Sequence, residues 1–175
     1  MGLDKTKLGL IGAGTIGKRH LQAISEVTEA ELVAIVDTDP LAESTAVEND
    51  VSFFASVSHM LQDKQPDGVI VCTPTEVHLG PVLSSLKHNT HVLVEKPIAP
   101  SLEEAQQIIE CSKVFNRQVL VGHHRRYYEV IEQTKLVIEN GFWVNWLAWA
   151  ASGLFEKQIH ISSQSGASSE VQDRF

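Results

Sequence analysis

The feature that most constrains this chain lies near its start. Lys7-Leu8-Gly9-Leu10-Ile11 is a short apolar strand that runs straight into Gly12-Ala13-Gly14-Thr15-Ile16-Gly17. The G-x-G-x-x-G spacing, with a strand before it and the helix-like segment Lys18 to Ser25 after it, leaves few backbone solutions. Gly12 permits the tight turn, Gly14 lets backbone approach a ligand, and Gly17 lets the helix pack close to the strand. The helix start offers unpaired N–H groups and the positive end of its dipole to an anion such as a pyrophosphate. A second strand, Leu32 to Val36, runs into Asp37, where a carboxylate accepts hydrogen bonds from ribose hydroxyls. Together these residues imply a dinucleotide site. Asp37 repels a 2′-phosphate, and neither Thr38 nor Asp39 supplies the positive charge that NADP needs, so NAD is favoured over NADP.

The strand-helix alternation continues to about position 122 and predicts an α/β fold, a Rossmann-type doubly wound parallel sheet. Candidate strands are Leu8-Ile11, Leu32-Val36, Val69-Cys72, Val92-Val94 and Val119-Val121, whose Val/Ile/Leu content suits burial on both faces. Asp39-Pro40 reads as an N-cap followed by proline at the first helical position, and Ser101-x-x-Glu104 as a capping box opening a helix through Cys111. Asp67-Gly68 marks a turn, and Pro74 to Asn89 has helical spacing interrupted early by Pro81. From Val130 the pattern is again helical, and Asn140-Gly141 ends it. The expected organisation is a dinucleotide-binding domain over 1–122, a connecting helix entering a second domain over 123–141, and an irregular tail over 142–175.

Composition closes off several function classes. In 175 residues the formal net charge of -8 and a pI near 5.4 argue against a general nucleic-acid-backbone binder, which would need a basic face. No apolar run reaches the ~20 residues of a membrane helix, and Met1 to Lys7 is too short and polar for a signal peptide, so a cytoplasmic protein is expected. Cys72 and Cys111 have neither metal nor disulfide spacing and read as small buried hydrophobes. His78, His123 and His124 have no partner at metal-ligand spacing, so no metal site is expected, and they read as polar loop and helix-start residues.

Lys96, in Glu95-Lys96-Pro97 after the fourth strand, lies at the carboxyl edge of the sheet, where open α/β folds bind ligands. A lysine there can hydrogen-bond a substrate hydroxyl and assist its deprotonation; by composition alone a lysine in a strand-to-helix loop is more often just solvated surface. Thr73-Pro74 similarly borders the cofactor or simply shapes a turn. Arg125 and Arg126 could meet an anionic substrate or form a solvated patch. A methyltransferase also carries a glycine-rich turn and an acidic residue after its second strand, and Glu95-Lys96-Pro97 argues for an oxidoreductase instead.

The segments IGAGTIGKRH, AIVDTDP, VCTPTEVH, HVLVEKPIAPSLEEA and VGHHRRY, in this order over about positions 7 to 141, closely resemble the Gfo/Idh/MocA family of NAD(P)-dependent oxidoreductases. The resemblance implies a Rossmann domain followed by an open-sheet α/β domain, acting on a sugar, inositol or related polyol. It implies that Gly12, Gly14, Thr15, Ile16, Gly17 and Asp37 hold the cofactor, that Thr73 and Pro74 lie beside the nicotinamide, that Glu95 and Lys96 also border the cofactor, and that Lys96 is the catalytic lysine, with Glu95 and Pro97 completing its motif. His124 and Arg125 match the segment that lies near substrate in relatives.

Family members run to about twice this length. The resemblance therefore implies a chain whose second domain, with its catalytic Asp and His and its oligomerisation surface, is largely missing, hence an inactive form. The alternative is a non-catalytic NAD-binding module. The style of the sequence breaks at Phe142, after which Trp143, Trp146 and Trp149 cluster. Reading the codons two bases later forces Leu, Gly and Leu at the Phe142-Trp143, Trp143-Val144 and Asn145-Trp146 junctions, like a strand in relatives. The expectation is that one nucleotide was lost there and that 142–175 are out-of-frame translation without a selected apolar pattern.

Overall fold

The computed structural model describes residues 5–141. The chain divides into two compact units, with the boundary between His123 and His124.

The first unit is a six-stranded, all-parallel sheet. Its strands are β1 (Thr6–Ile11), β2 (Ala30–Val36), β3 (Ser52–Phe54), β4 (Gly68–Val71), β5 (His91–Val94) and β6 (Val119–Val121), in the spatial order β3-β2-β1-β4-β5-β6. Helices α1 (Thr15–Ser25), α2 (Glu43–Glu48), α3 (Val57–Lys64), α4 (Leu79–Lys87) and α5 (Leu102–Phe115) connect them. The order reverses between β1 and β4, and Leu8 pairs with Gly68 and Ile11 with Val71 there. The carboxyl ends of these two strands therefore open side by side, at the place where doubly wound sheets take their ligands.

The strand period of two sends alternate residues to opposite faces. Ala34, Val36, Val69, Val71, Val92 and Val94 pack with Met60 of α3, Val82 and Leu86 of α4 and Ile108 of α5. Leu10, Ile35 and Ile70 pack on the other face with Leu21 and Ile24 of α1 and Ala46 of α2. All four residues of β4 are buried, as its apolar composition predicts. The expectation fails at β6, where Leu120 is 58% exposed. It lies on the face that α1 and α2 cover, at the far edge of the sheet, beside a shallow apolar concavity also lined by Leu8, Ile70 and Leu93.

Several local readings need adjustment. Strand β3 was not among the five expected strands; three residues are too few to show a period, and it forms as an edge by pairing Ser52 with Ala34 and Phe54 with Val36. Pro81 does not interrupt α4, because it stands in the first turn, where its missing N–H has no partner to lose. Asp39 caps a short 3-10 turn, accepting from the Leu41 amide at 3.0 Å. The Ser101 hydroxyl accepts from the Glu104 amide at 3.2 Å, whereas Oε2 of Glu104 is buried without a hydrogen-bond partner, so only half of the capping box forms. Cys72 and Cys111 are half-buried rather than buried.

In the second unit, His124–Tyr127 form a 3-10 turn and Glu129–Glu139 form α6. That helix matches the sequence pattern but buries none of its residues. The expectations for residues 142–175 lie outside the described residues.

Candidate dinucleotide site

The turn between β1 and α1 is held from three sides. Gly12 has φ of +95° and its N–H donates to the Val36 carbonyl at 2.8 Å. A Cβ at Gly12 would lie 2.9 Å from both the Cys72 carbonyl carbon and the Thr73 nitrogen, so only glycine lets the turn pass against the end of β4. A Cβ at Gly17 would collide with the Gly12 carbonyl oxygen, which is why the helix can start so close beneath the turn. Gly14 differs from both: it is exposed, and a Cβ there would meet nothing within 4 Å. The space above Gly14 is open. Gly14 occupies the N-cap without a side-chain hydrogen bond, so the first-turn amides, of Thr15, Ile16 and Gly17, remain available to an outside acceptor.

Asp37 is fixed at the end of β2 by its own neighbours. Its Oδ2 accepts from the Ala13 amide at 2.7 Å and its Oδ1 from the Asp39 amide at 2.9 Å. Each oxygen keeps acceptor capacity for a diol, and the carboxylate faces the glycine turn directly through Ala13. This geometry fits an adenosine ribose.

On the other side of the turn, the loops after β4 and β5 meet. Lys96 is exposed at the carboxyl end of β5 and, among the described residues, its ammonium makes no hydrogen bond or ion pair. Glu95 accepts at Oε1 from His20 of α1, 2.9 Å away, and at Oε2 from the Lys96 amide at 3.2 Å. A Cβ at Gly122 would come within 2.9 Å of Glu95 Oε1, so the start of the segment after β6 closes on the same carboxylate. Glu95 thus ties α1, β5 and β6 together at the edge where Lys96 emerges. The Thr73 hydroxyl is buried without a hydrogen-bond partner among the described residues, the kind of group that a bound ligand or water completes. Burial pushes the Cys72 thiol up to about 12, with the Glu95 carboxylate adding to the effect, so it stays protonated and unreactive.

The structure therefore brings Gly12, Gly14, Thr15, Ile16, Gly17, Asp37, Thr73, Pro74, Glu95 and Lys96 to one edge of one sheet. His124 and Arg125 belong to the second unit, where both are exposed and the His124 ring lies 5.9 Å from that of Tyr128. His78 was read as a polar loop residue, yet it is 1% exposed, with both ring nitrogens on backbone carbonyls. Its place five residues beyond Thr73, at the start of an apolar helix, was the available signal. A wide concavity, lined by Gln65, Asp67, Asn89 and Arg117, lies at the opposite edge, at the amino ends of β4 and β5. It has no glycine turn and no helix N-terminus, whereas the open, ledge-like carboxyl edge has both. Among the described residues no cluster of His, Cys, Asp and Glu could hold a metal ion, and no helix is long and apolar enough to cross a membrane.

Residues 6–123 match the family model described as the oxidoreductase family with an NAD-binding Rossmann fold. Inositol 2-dehydrogenase/D-chiro-inositol 3-dehydrogenase of Lacticaseibacillus casei is 32% identical over 140 residues, covering 77% of this chain and 40% of the relative. Glucose-6-phosphate 3-dehydrogenase of Bacillus subtilis is 33% identical over 135 residues, covering 77% and 38%. Among solved structures, scyllo-inositol dehydrogenase from Lactobacillus casei with bound NAD(H) and scyllo-inositol superposes with a TM-score of 0.75 at 26% identity, covering 79% of this chain and 42% of that one. The chain spans about two fifths of the length of the relatives it matches. The fold agrees with these matches, and the chain belongs to the Gfo/Idh/MocA oxidoreductase family through its NAD-binding Rossmann domain.

Proposed function

We propose that the first unit holds NAD across the β1/β4 edge and serves the oxidation or reduction of an alcohol on a sugar, an inositol or a related polyol. The observation that carries this reading is the shared edge: the glycine turn with Asp37 on one side of the strand-order reversal, Lys96 on the other. The first-turn amides of α1 take the pyrophosphate and Asp37 takes the adenosine ribose, its charge disfavouring a 2′-phosphate. Thr73 and Pro74 border the nicotinamide. NAD, when bound, supplies the hydride acceptor. Lys96 holds the substrate hydroxyl and helps take its proton as the carbon is oxidised. Glu95, anchored by His20, sets where Lys96 leaves the sheet.

The ledge is open, with Gly14, Thr15, Ile16 and Lys96 all exposed. Water exclusion is a large part of hydride-transfer catalysis, so the first unit by itself binds the cofactor and turns over slowly or not at all. The relatives named for inositol and glucose 6-phosphate support the substrate class.

The test is NADH formation from a panel of inositols and sugars, measured beside NADH affinity. Any turnover should fall by about a hundredfold or more in Lys96→Ala with NADH affinity retained. Equal turnover in the variant would remove Lys96 from the chemistry. NADH binding without turnover on any alcohol would leave the binding role alone.

A further inference from the structure

Glu95 and Lys96 are neighbours in sequence with opposite charges, yet their side chains do not pair. Elsewhere in the chain the same order of charges does pair: Lys64 Nζ lies 3.1 Å from Oδ2 of Asp63, the residue before it. An acidic residue directly before a lysine is therefore within reach of its ammonium. The Lys96 ammonium makes no ion pair with any described carboxylate, and the reason lies in what holds Glu95. Its Oε1 accepts from Nε2 of His20 at 2.9 Å and its Oε2 from the Lys96 amide at 3.2 Å. The side chains of His20 and Glu95 are 23% and 14% exposed, so this contact is turned inward while Lys96 is exposed. A neutral imidazole needs only its one N–H to make it, and an imidazolium would meet its counter-charge there, so the contact survives in either state.

A free ammonium matters for the chemistry proposed for Lys96. A carboxylate beside a lysine favours its charged form and occupies its donors. Both effects oppose a lysine that must hold a hydroxyl and take its proton. His20 lies on α1 shortly beyond Gly17, so the helix that offers its first amides to a phosphate also restrains this carboxylate. The segment after β6 crowds the same oxygen, since a Cβ at Gly122 would come within 2.9 Å of Glu95 Oε1. We propose that His20 is a positioning residue for Lys96: by holding Oε1 of Glu95 against α1 it keeps the carboxylate off the neighbouring ammonium, so that the lysine stays free to take a substrate hydroxyl.

The functional part rests on the reading of Lys96 as the residue that takes the substrate's proton, and the test needs neither cofactor nor turnover. The rate at which an activated ester acylates Lys96 at fixed pH, read by peptide mapping, reports its share of free amine. In His20→Ala the released carboxylate should pair with Lys96 and slow its acylation by about threefold, the scale of an exposed ion pair. His20→Gln keeps an N–H donor for Oε1 and should stay near the wild-type rate. Adding Glu95→Gln to His20→Ala should restore the rate, which a loss of local structure would not do. An unchanged rate in His20→Ala, or a loss that Glu95→Gln does not restore, overturns the proposal. If these rates behave as expected while Lys96→Ala leaves turnover intact, the positioning holds and the reading of Lys96 in the chemistry fails.

Discussion

The two halves of the candidate site are built by different means. The glycine-turn side, Gly12 to Gly17 with Asp37, is made of backbone: an allowed φ of +95°, two missing Cβ atoms and a carboxylate held by the Ala13 and Asp39 amides. The Lys96 side, Thr73, His78, Glu95 and Lys96, is made of side chains that reach across the fold, His20 to Glu95 and His78 to Pro97. Backbone requirements write themselves into residue type at fixed spacing. Contacts across the fold leave only single residues, each with a plainer explanation in sequence.

The largest expected effect lies between the halves, at Cys72. With its thiol held up at about 12, native Cys72 should carry about a thousandfold less thiolate than a free cysteine. Alkylation with peptide mapping should show it resisting iodoacetamide until denaturant is added. Reaction at the rate of a free thiol would mean that β4 opens readily at this edge, and the rigid contact with Gly12 would be lost as an explanation.

The glycines break the comparison most directly. Gly12→Ala combines a positive φ with backbone at 2.9 Å and should lower stability by about 3 kcal/mol in urea unfolding. Gly14→Ala has open space and should cost less than about 1 kcal/mol, yet weaken NADH, because the methyl fills the phosphate's place. If both substitutions act on stability alone, the turn is structural and not a ligand cradle.

Asp37→Asn keeps an acceptor but removes the charge. It should weaken NADH by roughly tenfold and narrow the preference over NADPH, read from the two dissociation constants. On the other half, His20→Ala removes a contact to Glu95 that is partly exposed, 23% at the histidine and 14% at the glutamate. After allowance for solvent screening it should cost less than about 1 kcal/mol in urea unfolding.

The same contrast explains what could be read in advance. Five strands, the helix after the glycine turn and the Asp39 and Ser101 caps follow from local pattern, and the structure has them. Ser52 to Phe54 was missed because an edge strand of three residues exists only through its pairing with β2. Leu120 looked like core, but its burial depends on what covers the far edge of the sheet, which no local pattern encodes. His78 and His20 were invisible as site residues for the same reason: each acts on a partner 19 or 75 positions away.

The central claim is that Gly12, Gly14, Gly17 and Asp37 form an NAD site, and calorimetric titration of the chain with NADH and with NADPH tests it most directly. The account predicts saturable one-to-one binding of NADH, tighter than NADPH by about tenfold or more. No binding of either, or NADPH bound as tightly as NADH, would contradict it.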